Sequence, residues 1–270
     1  MTPWLSPIIF QLGPIALHWY GLMYAITFLL AYLIFQKSRP GQALPLSSTQ
    51  KDNLLIIMIA GLILGARIFY ILVYNFNYYW QNPAKIIALW EGGLSFHGGL
   101  LGVVIGALIY LKFHNSNSTT PIKFFQIADL AALITPIGIF FGRIGNFINA
   151  ELYGRISPNN QYCLHFPTDP QNCRYPSQLI ESFFEGLILF LIIFALHYSG
   201  FKKHLKQPGQ ISGIFLIFYG LFRFIIENFR EPDAQIGFIL NLTMGQILSI
   251  ITILAGLIIF SFKSKSIKSN

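Results

Sequence analysis

Four polar residues near the C-terminal third of the chain are spaced to share one face of a helix inside an apolar stretch. They follow the pattern i, i+4, i+8, i+11 and are Tyr219, Arg223, Glu227 and Arg230. A guanidinium within a membrane costs at least about 2.5–3.5 kcal/mol, so it normally faces a cavity or a partner and marks a functional path. Its planar fork suits bidentate binding of a phosphate. The alternative is an Arg223–Glu227 pair that only fixes helix packing.

A second polar group lies in segment 142–155, where two arginines, two amides and a carboxylate alternate with three glycines. Glycines let backbone N–H groups approach a ligand closely. A plain amphipathic connector rarely combines so many fork-shaped donors with apolar anchors. The segment therefore predicts a ligand-binding site, with Arg143 as a candidate for binding an anion.

His97 follows a glycine-rich segment at the start of another apolar stretch. An imidazole titrates near neutral pH and can accept a proton, so His97 is the candidate general base, with Tyr20 and Asn146 as possible orienting groups. The alternative is a structural histidine at a membrane interface. Tyr20 also lies in a His-Trp-Tyr run that fits an aromatic anchor at such an interface.

Common catalytic motifs are missing from the sequence. It has no HExxH zinc helix, no GxSxG elbow and no Ser/His/Asp set, and neither of the two cysteines has a context that activates a nucleophile. We therefore expect no metal, no cofactor and no covalent protein intermediate. Direct displacement between two substrates is the chemistry that remains.

The elements that must position these side chains are membrane helices. Hydrophobic residues make up 54% of the 270 residues and charged residues only 10%, whereas a soluble domain carries about 25% charged residues. This composition excludes a soluble globular enzyme. A net charge of +8 at first suggests nucleic acid. Its distribution along the chain indicates a membrane instead, and no nucleic-acid partner is expected.

Charge-free apolar runs predict an all-α, polytopic membrane protein, because a membrane helix needs about 20 mostly apolar residues. The whole chain, 1–270, is interpreted as one integral membrane domain with a polar excursion at about 143–177. Breaking the runs at turn signals gives seven helices, near 17–36, 54–74, 96–113, 124–142, 178–198, 211–229 and 242–262.

The cations predict the orientation of these helices. With seven spans, one set of loops carries eleven cations and the opposite set five. The positive-inside rule puts the first set, and the C-terminus, in the cytoplasm and the N-terminus outside. The cytoplasmic set is Lys37, Arg39, Lys51, Lys112, Lys123, Lys202, Lys203, Lys206, Lys263, Lys265 and Lys268; the outer set is Lys85, Arg143, Arg155, Arg174 and Arg230.

Lysine and arginine divide unequally between the two sides. Ten of eleven lysines are cytoplasmic, whereas six of seven arginines lie outside or within the membrane. Topology needs only positive charge, which lysine supplies, so the arginine bias indicates an anion site. The alternative is that the outer arginines only pair with nearby carboxylates.

Both cysteines, Cys163 and Cys173, fall in the outer excursion, ten positions apart. An oxidising compartment favours a disulfide between them, and two free thiols are the alternative.

Taken together and in this order, these residues resemble the prolipoprotein diacylglyceryl transferases, bacterial enzymes that attach the first lipid to lipoproteins. The resemblance runs nearly end to end, and segment 142–155 is the family signature. Many members have glycine at the position of Ala150 and tryptophan at that of Tyr153. The matching segments are Leu17-His18-Trp19-Tyr20-Gly21, Leu94-Ser95-Phe96-His97-Gly98-Gly99, 142–155, Tyr175-Pro176-Ser177-Gln178, 223–233 and Met244-Gly245-Gln246.

The resemblance implies transfer of diacylglyceryl from phosphatidylglycerol to the lipobox cysteine of a prolipoprotein, with release of glycerol phosphate. It also implies a multi-pass protein of the bacterial inner membrane with its site toward the periplasm. Arg143 and Arg223 are then expected to hold the lipid phosphate, and His97 to accept the thiol proton. The signature segment carries Asn146, Glu151 and Gly154 as lipid-contacting or site-shaping residues. The full set expected to bind substrate is Tyr20, Asn146, Glu151, Gly154, Tyr219, Glu227 and Arg230. The alternative function from the residues alone is a lipid or anion transporter, which would need no base.

Overall fold

The structure, a computed structural model, describes residues 4–13, 15–89, 92–116, 118–198, 205, 207–231, 238–239 and 241–261. Several cations used for the orientation prediction lie outside these residues, as does Asp233 of the matched segment 223–233; the cations are Lys202, Lys203, Lys206, Lys263, Lys265 and Lys268.

Six helices of the described chain are long and apolar enough to cross a membrane, which confirms the all-α, polytopic prediction. A shorter helix of 17 residues, α9 (Gln210–Ile226), coincides with the sixth predicted span. The direction in which the helices cross stays a prediction. The six are α1 (Trp19–Lys37), α3 (Ser48–Tyr74), α5 (Phe96–Ser116), α6 (Phe124–Ile148), the helix Ser177–Tyr198 and α10 (Met244–Ser261).

The helix Ser177–Tyr198 is not uniform. It begins as α7 (Ser177–Glu181), passes through a π-helical turn (Ser182–Ile188) and continues as α8 (Leu189–Tyr198). Such turns are rare and are frequent at functional sites. The turn packs closely on α6: Ser182 Oγ donates to the carbonyl of Phe140 at 3.0 Å, and a Cβ on Gly186 would lie 2.7 Å from Phe140 Cα.

Short elements connect the helices, and the sequence did not predict the strands among them. The described residues form three strand pairs, and each pair is antiparallel. Runs this short carry little periodic signal, and the first pair lies in an apolar stretch without Asp, Glu, Lys or Arg. The elements are β1 (Ile8–Leu12), β2 (Ile15–His18), α2 (Arg39–Gln42), α4 (Phe76–Gln81), a 3₁₀ turn (Pro83–Ile87), β3 (Leu164–Phe166), β4 (Asp169–Arg174), β5 (Phe238–Ile239) and β6 (Leu242–Thr243).

The chain forms two compact units, Met1–Ile34 with Ala128–Asn270, and Phe35–Ile127. The first has an apolar core of Ala132, Leu133, Leu189, Ile193 and Ile211. In the second, α3 and α5 pack at glycines, and a Cβ on Gly61 would clash with the carbonyl of Gly102. The small-residue spacing of α5 therefore serves close helix packing, as expected. That the whole chain is one integral membrane domain stays a prediction.

Asp129, an acid inside the predicted fourth span, has a structural partner. Its carboxylate accepts hydrogen bonds from the backbone N–H groups of Gly209 and Ser212, each at 2.8 Å, and from Ser212 Oγ at 2.6 Å. These groups lie at the start of α9, where N–H donors lack partners within the helix. Asp129 therefore caps α9 from another helix.

Candidate functional site

The centre of the site is Glu181, a fully buried carboxylate at the end of α7. Its Oε2 lies 2.8 Å from Arg143 Nη2 and 3.2 Å from Arg223 Nη1. Its Oε1 accepts a hydrogen bond from Arg230 Nη1 at 2.6 Å. One side chain thus joins three arginines, which we call the arginine cluster: Arg143, Arg223 and Arg230.

Two further buried carboxylates contact the arginine cluster. Glu227 Oε2 lies 3.0 Å from Arg223 Nη2 and 3.5 Å from Arg230 Nε. Glu185 Oε1 lies 3.9 Å from Arg223 Nη1. The predicted Arg223–Glu227 pair therefore exists, but within a network of three arginines and three glutamates.

The three arginines of the cluster are more exposed to solvent than the carboxylates that contact them. The arginine side chains retain 22%, 17% and 19% of their accessible surface, whereas Glu181 retains none. Each guanidinium carries five N–H donors, and the contacts above engage only some of them. The arginine cluster can therefore present N–H groups to an anion at its exposed surface, while the buried carboxylates keep the arginines in place.

Asn146 and Glu151 extend the network beyond α6. Arg143 Nη1 donates to Asn146 Oδ1 at 3.4 Å, and Asn146 Nδ2 donates to Glu151 Oε1 at 2.9 Å. Gln178, fully buried on α7, donates from Nε2 to the backbone carbonyl of Glu151 at 2.7 Å. The structure therefore brings Arg143, Asn146 and Glu151 together, as their spacing predicts.

α6 ends later than predicted, and residues with a left-handed backbone conformation follow it. α6 runs to Ile148, six residues beyond its predicted end at 142, so Arg143 and Asn146 are helical and do not belong to the excursion. Ala150 and Leu152 then have positive φ values of 53° and 56°, a conformation that favours glycine.

Gly154 lies where the chain passes the end of α9. A Cβ on this residue would collide with the carbonyl oxygen of Phe229. The next residue, Arg155, donates from Nε to the carbonyl of Arg230 at 2.6 Å. Gly154 therefore shapes the site through its backbone, and any larger residue would displace the segment that carries Arg230.

The two tyrosines predicted to bind substrate occupy different surroundings. Tyr20 lies against α6, since a Cβ on Gly145 would be 2.6 Å from its ring, and its hydroxyl is 3.3 Å from that of Tyr24. Tyr219 stacks on Phe215 and packs against the apolar core of its unit. Tyr20 thus adjoins the Arg143 helix, whereas Tyr219 packs its ring in the apolar core and keeps its hydroxyl within electrostatic reach of Glu185 and Arg223.

His97 belongs to the other unit, in the first turn of α5, where its side chain is exposed and its ring meets Phe96 edge-on at 5.8 Å. The loop before it is fixed by Arg67, a buried arginine of α3 that donates to five backbone carbonyls. This clamp holds the start of α5. The acceptors are Lys85, Ile86, Ala88, Gly92 and Gly93.

The excursion has its own scaffold outside the membrane spans. Arg174 pairs with Asp169 and, at 2.8 Å, with Glu231, and its guanidinium lies 5.0 Å from the ring centroid of Tyr153. Hydrogen bonding from Arg174 holds the pKa of the Asp169 carboxyl below its usual value. The sequence left open that the outer arginines only pair with nearby carboxylates, and for Arg174 this alternative is correct.

Cys163 and Cys173 form a disulfide, as predicted. Changing both cysteines to serine should lower the unfolding temperature, because closing a loop of this length contributes about 3 kcal/mol in the chain-entropy picture. Thermal unfolding in detergent, with and without reductant, measures the effect. The single change Asn159→Ser, in the same excursion, is the control. Equal unfolding temperatures for the reduced and oxidised protein would contradict the prediction.

Sequence reasoning missed Glu181 and Glu185, which contact the arginine cluster. A signal was available: two acids four positions apart open an otherwise apolar stretch, and an acid inside a membrane is as costly as an arginine. The described residues contain no group of three or more acidic, histidine or cysteine side chains that could hold a metal ion.

The fold and site define an integral membrane protein in which buried glutamates hold three partly exposed arginines. The sequence model of the prolipoprotein diacylglyceryl transferase family matches residues 7–262. The chain belongs to this family.

Curated relatives from several Rickettsia species align along most of the chain. A protein of Rickettsia bellii (strain OSU 85-389) is 48% identical over 259 residues, covering 94% of both chains. One from Rickettsia felis is 46% identical over 260 residues, covering 94% of this chain and 95% of its own. Both are named phosphatidylglycerol–prolipoprotein diacylglyceryl transferase.

Proposed function

We propose that the arginine cluster is the site at which this membrane enzyme transfers diacylglyceryl from phosphatidylglycerol to the lipobox cysteine of a prolipoprotein. Family membership assigns the transferase activity, the first step of lipoprotein maturation. The proposal concerns the residues that perform it and the face of the membrane where they act. The observation that carries it is the partial exposure of three arginines held by one buried carboxylate.

The arginine cluster acts on the leaving group. The thiolate sulfur attacks the glyceryl carbon, the C–O bond to phosphate breaks, and glycerol phosphate leaves with the bonding electrons. Charge on the phosphate grows as that bond breaks. Arg143 and Arg223, fixed before the reaction by Glu181 and Glu227, stabilise this charge as preorganised donors. The leaving phosphate monoester has a second pKa near 6, so it departs without a general acid.

The attacking thiol needs a proton acceptor, because a cysteine pKa of about 8.5 leaves it mostly protonated at neutral pH. His97 is the proposed acceptor. It is an exposed imidazole in the first turn of α5, whereas the neighbouring Gly98 and Gly99 are buried against α3 and leave no room for a peptide backbone. Arg67 supports this role by fixing the loop that precedes His97. Tyr20 of α1 packs at Gly145 of α6, and Asn146 of α6 accepts a hydrogen bond from Arg143, so both are proposed to shape the phosphate-binding part of the site.

The transporter alternative explains intramembrane arginines equally well but predicts no consumption of a thiol. Family membership favours catalysis. We further propose that the protein lies in the inner membrane with the site toward the periplasm, since Arg143, Arg155 and Arg230 fall on the side with fewer cations.

Sealed vesicles test the substrates and the orientation together. A membrane-impermeant peptide with a lipobox cysteine should be lipidated by right-side-out vesicles and spared by inside-out vesicles. The same peptide with serine in place of cysteine is the control. Modification only in inside-out vesicles would contradict the proposed periplasmic site.

Single-cysteine reporters check the orientation without activity. In a background with Cys163 and Cys173 changed to serine, Asn159→Cys should react with an impermeant maleimide from outside, and Ser116→Cys only after the membrane is opened. The reverse pattern would overturn the positive-inside assignment.

A further inference from the structure

We infer that Glu181 is a positioning residue that both aligns the arginine cluster and weakens its hold on the product, so that glycerol phosphate can leave. The inference rests on the proposed function and deepens it. It assigns a role to a carboxylate that the sequence did not single out.

Glu181 is placed to align arginines that come from different parts of the chain. Arg143 lies on α6, Arg223 on α9, and Arg230 in the segment after α9. The two carboxylate oxygens of Glu181 reach all three at 2.6–3.2 Å. Arg223 Nη1, which contacts Glu181, also lies 3.9 Å from Glu185 Oε1. Glu227 contacts two of the arginines and Glu181 all three, so Glu181 fixes their spacing.

The charges of substrate and product explain why a cluster that binds anions contains buried carboxylates. The phosphate of phosphatidylglycerol is a diester with one negative charge, whereas a phosphate monoester carries about −1.5 to −2 at neutral pH. Every uncompensated arginine therefore favours the product over the substrate. Three arginines without counter-charges, partly shielded from water, would hold the product tightly and slow its release.

Burial makes this compensation effective. Glu181 is fully buried while the arginines remain partly exposed, so water screens its field weakly and an incoming phosphate meets the exposed arginines rather than the carboxylate. Glu181 thus lowers the net charge that the phosphate meets without occupying the accessible donors. Aligned donors speed bond cleavage, and a reduced net charge lets the product dissociate.

Glu181→Gln tests this role, because it removes one charge and keeps the size of the side chain. The inhibition constant for glycerol phosphate should fall at least about tenfold. We expect kcat to fall at least about tenfold, and KM for phosphatidylglycerol to stay equal or decrease. A purely structural role predicts weaker binding of both ligands instead. Glu231→Gln, which removes an exposed partner of Arg174, is the control and should leave all three values within about twofold.

Glu181→Asp tests the charge of the side chain separately from its length. It also keeps the inference testable if the glutamine variant does not fold. The charge is retained, so product inhibition should stay within about threefold of wild type. The side chain is one methylene shorter and cannot contact all three arginines, so kcat should fall about tenfold. Wild-type kcat in the aspartate variant, or unchanged or weakened product inhibition in a folded glutamine variant, would overturn the inference. Failure of the wild-type protein to lipidate the peptide would instead overturn the proposed function.

Discussion

Replacing Arg143 or Arg223 with lysine should reduce kcat for diacylglyceryl transfer by about 10²–10³-fold, although the positive charge is kept. Arg143 contacts Glu181 through Nη2 and Asn146 through Nη1, and Arg223 contacts Glu181 and Glu227 through its two terminal nitrogens. A lysine ammonium cannot make two such contacts and also grip a phosphate bidentately.

Steady-state lipidation of a lipobox peptide by purified variants measures this effect. Arg39→Lys is the matched control, since Arg39 is an exposed arginine of α2 in the other unit. Thermal unfolding of each variant separates lost chemistry from lost fold. Near-wild-type turnover of both Arg143→Lys and Arg223→Lys would show that simple positive charge suffices.

Replacing His97 with asparagine should lower turnover by about 10²–10⁴-fold and leave binding of phosphatidylglycerol largely intact, because general-base catalysis contributes in that range. The loss should shrink as pH rises. Below a thiol pKa of about 8.5 the thiolate fraction grows tenfold per pH unit, so the substrate increasingly arrives deprotonated. The wild-type enzyme, which supplies its own base, should depend less steeply on pH.

A pH profile of kcat for both proteins, together with a lipid-binding measurement, checks the role of His97. His165→Asn is the control, because His165 is an exposed histidine of the excursion whose Nδ1 lies 3.1 Å from the carbonyl of Pro170. Full activity of His97→Asn, or loss of lipid binding with turnover preserved, would assign His97 a structural role. The arginine cluster alone would then have to activate the thiol.

The membrane helices could be predicted from the sequence because each is long, apolar and almost free of charge. Their ends were harder to place. The charge-free run stops at 142 because Arg143 follows it, but the helix continues to Ile148 with Arg143 paired to the buried Glu181. The three hairpins left too little periodicity to detect.

Part of the site was also predictable. Arg143, Asn146 and Glu151 are close in sequence, and so are Arg223, Glu227 and Arg230, so local spacing sufficed to group each set. The predicted shared helical face is wrong for Arg230, because α9 ends at Ile226 and Arg230 lies beyond it. What joins the two sets is Glu181, and its three partners come from separate parts of the chain. Such contacts depend on how helices pack, and spacing along one helix carries no information about them.

The central claim is that the arginine cluster holds the phosphate as glycerol phosphate leaves and a cysteine takes the diacylglyceryl group. The most direct test is mass spectrometry of both products after purified protein is incubated with phosphatidylglycerol and a lipobox peptide. The account predicts equal amounts of thioether-linked peptide and glycerol phosphate from the wild-type protein, and neither from a folded Arg143→Gln, Arg223→Gln double variant. Wild-type yields of both products from that double variant would contradict it.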